Sequence, residues 1–103
     1  AARQKMSYQQ TIAEDRRLSE LLILSASPGY TANTFLLRDG IDRVYGHNAS
    51  ADQVNTDVAW LQEQGLVTTR SVSEVTLATI TARGLDVSTG RATQPGVKRP
   101  SPV

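Results

Sequence analysis

Between positions 50 and 67 the chain reads SADQVNTDVAWLQEQGLV, and this stretch limits the possible folds more than any other. Ser50 and Gln53 have the S-x-x-Q form of a capping box, in which each side chain satisfies an amide donor left open at a helix start. Val54, Val58 and Leu61 follow at the i, i+4, i+7 spacing of one apolar stripe, and Gly65 offers the left-handed conformation that ends many helices. Leu66, Val67, Thr68 and Thr69 then have strand-forming composition. The predicted unit is a helix with one buried and one free face, running through a glycine directly into a β-strand.

The same logic orders the rest of the chain. Ser7 and Gln10 repeat the capping-box spacing, and residues 8–26 contain neither Gly nor Pro, so a first helix is expected there. Ile12, Leu18, Leu21, Leu22 and Ile23 give it an apolar side, and the charge run Glu14, Asp15, Arg16, Arg17 and Glu20 is assigned to a solvated face. Ser27, Pro28 and Gly29 stop this helix, and Thr31 is expected to cap a second helix over residues 32–45. Only the four residues 46–49 then lead to the third helix, and helices joined so closely pack at a steep angle. Residues 66–72 and 74–80 read as a hairpin, and Thr81 as the cap of a short helix over residues 82–89. The expected fold is therefore α+β, mainly α: a winged helix-turn-helix with a three-helix core, a two-stranded β wing and a short C-terminal helix. Residues 6–90 would form this domain, residues 1–5 an N-terminal extension or remnant, and residues 91–103 a basic, Pro-containing tail that is mobile or hugs the surface.

Composition narrows the function classes. A length of 103 residues suits one domain with a modest core. There is no cysteine and a single histidine, His47, so thiolate metal ligands are excluded and neither a metal nor a cofactor is expected. No apolar run approaches the roughly 18 residues that span a bilayer, which makes a cytoplasmic location without a membrane partner the expectation. An enzyme is not expected: no nucleophile constellation or phosphate-cradling glycine motif occurs.

Charge frames the binding question. Residues 6–90 carry six basic and ten acidic side chains, while Arg3, Lys5, Arg91, Lys98 and Arg99 put positive charge at the two ends. On a helix-turn-helix the third helix lies in the major groove, and Gln53, Asn55 and Thr56 are the candidate base readers, the carboxamides for adenine and the threonine for a phosphate or thymine methyl. That helix has no Lys or Arg, so phosphate-neutralising cations would come from Arg70 in the wing, Arg38 and Arg43 on the second helix, and Arg91, Lys98 and Arg99 in the tail. Asp52, Asp57 and Glu63 instead define an acidic face suited to a protein partner. Trp60 is expected to pack under the wing, with an exposed anchor in a dimer or partner interface as its alternative.

The blocks SYQQTIAEDRRL, PGYTANTFLLRDGID, TDVAWLQEQGLVT and TARGLDVSTGRATQPGVKRP resemble the small winged-helix proteins of Mu-like transposable phages and prophages, some of which carry loose labels as ArsR-type regulators. The resemblance spans almost all of residues 6–100. It implies a phage or prophage protein working inside a bacterial host, without the thiol ligands of metal-sensing ArsR proteins. Two functions fit these residues: a DNA-binding regulator or DNA-associated phage factor on double-stranded DNA, acting as a homodimer, and a protein-binding adaptor for a phage or host protein.

Overall fold

The computed structural model describes residues 7–101. Helix α1, Tyr8–Ala26, starts at a complete capping box in which Ser7 Oγ accepts from the Gln10 amide at 3.1 Å and Gln10 Oε1 accepts from the Ser7 amide at 2.9 Å. A single turn at Pro28–Tyr30 places Gly29 and Tyr30 in succession at φ values of 64° and 58°. The chain then enters a strand rather than a helix. Thr31–Asn33 forms β1, and Asn33, not Thr31, caps helix α2, Thr34–Tyr45, by accepting from the Leu36 amide at 2.8 Å. The expectation of a helix from residue 32 fails because β1 finds a partner far along the chain: Thr31 pairs with Thr79, and their hydroxyls are 2.7 Å apart.

Helix α3, Ala51–Glu63, begins at the Ser50–Gln53 capping box and is followed by Gly65 at φ 76°. Strands β2, Val67–Val72, and β3, Val75–Ile80, pair antiparallel, and the two residues between them, Ser73 and Glu74, both take positive φ. Two left-handed residues in a two-residue turn match the right-handed twist of the strands they join. The wing thus belongs to a three-stranded antiparallel sheet ordered β1-β3-β2. Helix α4, Ala82–Thr89, is capped by Thr81 and docks flush on the α3–β2 junction. A Cβ on Gly84 would lie 2.2 Å from the Leu66 carbonyl oxygen, so only glycine permits that approach.

The core forms where the apolar stripes of the helices meet the inner face of the sheet. Leu21 and Leu24 of α1, Leu37 and Ile41 of α2, and Leu61 of α3 are fully buried, joined by Leu66 and Ala78. Helix α1 is the central element, flanked by α2, α4 and the sheet. After Gly90 the chain turns back, and residues 91–101 run over α1 and the rear of α3, with Val97 inserted into the core.

Candidate nucleic-acid interface

Helix α3 divides into three surfaces by its own period. At 3.6 residues per turn, successive positions are separated by about 100° around the axis. Val54, Val58 and Leu61 face inward and are buried. Opposite them, Asp52, Thr56, Ala59 and Glu63 form an exposed ridge. Neither Asp52 nor Glu63 makes an ion pair among the described residues. Asp52 lies in the first turn, where the helix dipole favours an anion.

One flank of this ridge meets the wing. Asn55, Val58, Ala59 and Gln62 line a shallow groove with Thr69 of β2 and Thr76 of β3. Gln62 is tied across the groove by a hydrogen bond from the Thr69 hydroxyl to its Oε1. Arg70, the next residue of β2, is exposed and paired in register with Leu77. This flank is rich in uncharged donors and acceptors.

The other flank faces α1 and the C-terminal segment, and it holds the charge. Asp57 is 2% exposed and is gripped by Arg16, with Nε to Oδ2 at 2.5 Å and Nη2 to Oδ1 at 3.2 Å. The hydrogen bond to Asp57 raises the Arg16 pKa further, so this cation is permanent. Arg17 approaches the same carboxylate at 3.7 Å, stacks 4.4 Å over the Trp60 ring and donates to the Gly96 carbonyl at 2.9 Å. Glu20 is fully buried beside them, with both oxygens lacking a partner if it is counted as a carboxylate. Burial pushes its carboxyl well above the usual range, the Asp57 charge and hydrogen bond reinforce the shift, and Arg16 and Arg17 only partly oppose it. A neutral Glu20 acid has an O–H that can be donated to Asp57, which a carboxylate lacks.

These placements correct several expectations. Asp57 belongs to no surface face: it is the buried counter-ion of Arg16. The run from Glu14 to Glu20 is not a solvated face, because Arg16, Arg17 and Glu20 turn toward Asp57. Trp60 does not pack under the wing; it is half-buried on the opposite flank, where Gly96 lies so close that a Cβ there would be 2.7 Å from the ring. Gln53 spends its Oε1 on the Ser50 amide at 3.0 Å and lines a recess with Tyr8 and Arg16. Gln53 and Asn55 are therefore about 200° apart on the helix and cannot read one surface together.

The cations also scatter. Arg38 donates from Nε to the Ala49 carbonyl at 2.8 Å and so braces the turn before α3. Lys98 pairs with Asp15 of α1 at 3.2 Å. His47, in the turn, takes the other Asp15 oxygen at 2.6 Å. Burial draws the Asp15 pKa upward, but its bonds to His47 and Lys98 prevail and hold it below the usual value. Arg43, Arg91 and Arg99 are exposed, with Arg43 in the last turn of α2. Helical spacing around the isolated α3 stripe predicts that Asn55 and Thr56 are exposed, as they are; the signal for Asp57 lay in its phase, three residues after Val54 and four before Leu61, on the edge of the buried stripe.

Among the described residues no His, Asp or Glu cluster suits a metal ion, and no helix is long and apolar enough to cross a membrane.

Architecture of this kind is that of winged-helix transcriptional regulators. A MarR family transcriptional regulator from Streptomyces coelicolor superposes with a TM-score of 0.59 at 28% identity, covering 70% of this chain and 46% of that one. The complex structures of hsRosR-S1 and hsRosR-S4 both give a TM-score of 0.61 at 15% and 16% identity, covering 68% and 75% of this chain and 61% and 68% of theirs. At that identity the likeness to hsRosR is one of fold. The chain thus spans less than two thirds of two of these three proteins. No protein-family profile matches the sequence.

Sequence relatives place it more closely. It is 45% identical over 91 residues to Uncharacterized protein gp26 of Escherichia phage Mu, covering 88% of this chain and 93% of gp26. It is 41% identical over 98 residues to a protein of Haemophilus influenzae strain Rd, covering 94% of each. The chain belongs to the phage Mu gp26 family. Neither relative carries the ArsR label that the resemblance suggested; the regulator family named among the similar structures is MarR.

Proposed function

We propose that this protein is a winged-helix DNA-binding protein, a transcriptional regulator or DNA-associated factor of a Mu-like phage, and that it engages duplex DNA along the wing-side flank of α3. The observation that carries this reading is the neutral, exposed groove between α3 and the wing, where Asn55 is free to bond a base edge beside the Gln62–Thr69 pair. Thr56 stands next to it on the ridge, and Arg70 is the nearest cation of the wing for a phosphate. Arg43 on α2 is a second exposed phosphate contact, whereas Arg38 acts by holding the turn. The chain works as a homodimer in this reading, since two half-sites double the readable sequence.

Fluorescence-anisotropy titration with random duplexes and duplexes from the protein's own genomic neighbourhood, at low and near-physiological salt, tests the proposal. Binding that prefers one duplex and weakens steeply with salt is expected. No binding at low salt would sink it.

The bare acidic ridge favours a second reading, an adaptor for a basic phage or host protein through Asp52 and Glu63. The paired substitution Asp52→Asn with Glu63→Gln separates the two: it tightens duplex binding by removing repulsion of phosphate if α3 meets DNA, and leaves duplex titrations flat if the ridge serves a protein partner.

A further inference from the structure

The C-terminal segment is held to the helical body at separate points, with solvent-exposed residues between them. Val97 is buried and supplies the one large apolar plug of the segment. Gly96 lies on the Trp60 ring and gives its carbonyl to Arg17. The Lys98 amide bonds the Glu14 carbonyl at 3.2 Å, and its ammonium pairs with Asp15. Upstream, Gln94 bonds Gln64 at 3.2 Å and accepts from Arg83 at 2.6 Å. Arg91, Thr93, Pro95 and Arg99 are exposed. The Arg91 and Ala92 amides also bond the Asp86 carbonyl, and Ala92 packs on the core. Beyond Ala92 the segment has Val97 as its buried anchor, and a segment anchored at few points opens below the free energy of global unfolding.

We propose that residues 91–101 are a releasable strap, and that its opening converts the segment from a cover over Trp60 into a basic arm. Closed, the strap covers Trp60 of α3 and spends Lys98 on Asp15. Open, it frees Lys98 to join Arg91 and Arg99 as three cations on a mobile chain, a charge pattern that binds polyanions. The arm's ligand, duplex phosphate, rests on the DNA-binding reading; the opening of the strap does not.

Hydrogen exchange of the wild-type chain tests the opening. The Val97 and Lys98 amides, bonded to the Gln94 and Glu14 carbonyls, should exchange at least about tenfold faster than the Leu66 amide, which is bonded to Leu61 in the core. Equal protection overturns the strap. Gly96→Ala then forces it open, because Gly96 sits at φ 95° and its new Cβ would strike Trp60. Trp60 is the only tryptophan, so its emission should move to the red and its quenching by acrylamide should rise about twofold while the far-ultraviolet helix signal is kept. Val97→Ser serves as the second variant. An unchanged Trp60 in both, or loss of the helix signal in both, shows that the segment is an integral part of the core and overturns the proposal. For the arm, Gly96→Ala should steepen the logarithmic salt dependence of duplex binding by about one, the increment for one freed cation. An unchanged slope overturns the arm. If neither protein binds duplex, the arm falls together with the DNA-binding reading, while the exchange and Trp60 results stand separately.

Discussion

The two flanks of α3 solve opposite problems. Toward the wing, Asn55 and Gln62 present carboxamides in a shallow groove, uncharged and open to solvent. Toward α1, the buried Asp57 and Glu20 cluster with the half-buried Arg16 and Arg17. The helix therefore hides its strongest electrostatic interactions and keeps uncharged groups, Asn55 and the Gln62–Thr69 pair, at the surface. Charge on a helix says little about its surface until burial is known, and here the side that looked acidic is partly an internal anchor.

Breaking the hidden flank should have the largest effect. Asp57→Ala removes the buried counter-ion of the half-buried Arg16 and Arg17 and should cost about 3–5 kcal/mol. In a domain of this size that lowers the melting temperature by well over 10 °C in calorimetry, at about 4–8 °C for each kcal/mol. A shift of only a few degrees would show that the cluster is solvated after all.

On the open flank the effect should be on binding rather than stability. Asn55→Ala is expected to weaken the preferred duplex by about 1–3 kcal/mol and to relax preference at one base pair, with the thermal midpoint unchanged. Equal loss across all sequences would reassign Asn55 to a phosphate contact.

Glu20→Gln should act in the opposite direction to Asp57→Ala. Because the folded pKa of Glu20 is raised above its unfolded value of 4.5, the stability that the neutral acid contributes is complete below that pH. It is lost as pH rises toward the folded pKa, since the unfolded chain has already released the proton. Glutamine keeps a donor for Asp57 with no proton to lose, so the variant should be more stable at pH 7.5, equal to wild type at pH 4, and flatter between them in urea denaturation. Parallel pH profiles would contradict a neutral Glu20.

The smallest change sharpens the contrast between flanks. Gln53→Ala removes half of a capping box and should cost roughly 0.5–1 kcal/mol of stability, with no change in duplex preference. A base-specific loss in this variant would return Gln53 to the reading surface.

What the sequence revealed was mostly local. The Ser7–Gln10 and Ser50–Gln53 capping boxes and the turn glycines Gly46, Gly65 and Gly90 fix helix ends within a few residues, and the structure has each of them in its expected role. Features that depend on distant partners were not legible in the same way. Strand β1 is three residues long and exists because β3 lies beside it, 48 residues further on at Thr31 and Thr79. Asp57 and Arg16 are 41 residues apart, and nothing near either announces the other. Trp60 was drawn to the wrong flank because its neighbour, Gly96, comes from a proline-rich segment with no periodicity.

Asn33 is both the last residue of β1 and the cap of α2, and β1 is hydrogen-bonded to the wing strand β3. The wing is thereby built into the frame of the helix-turn-helix instead of hanging from it. The spacing between wing and α3 is thus held like the jaws of a fixed caliper, because the strand that pairs with the wing also starts α2.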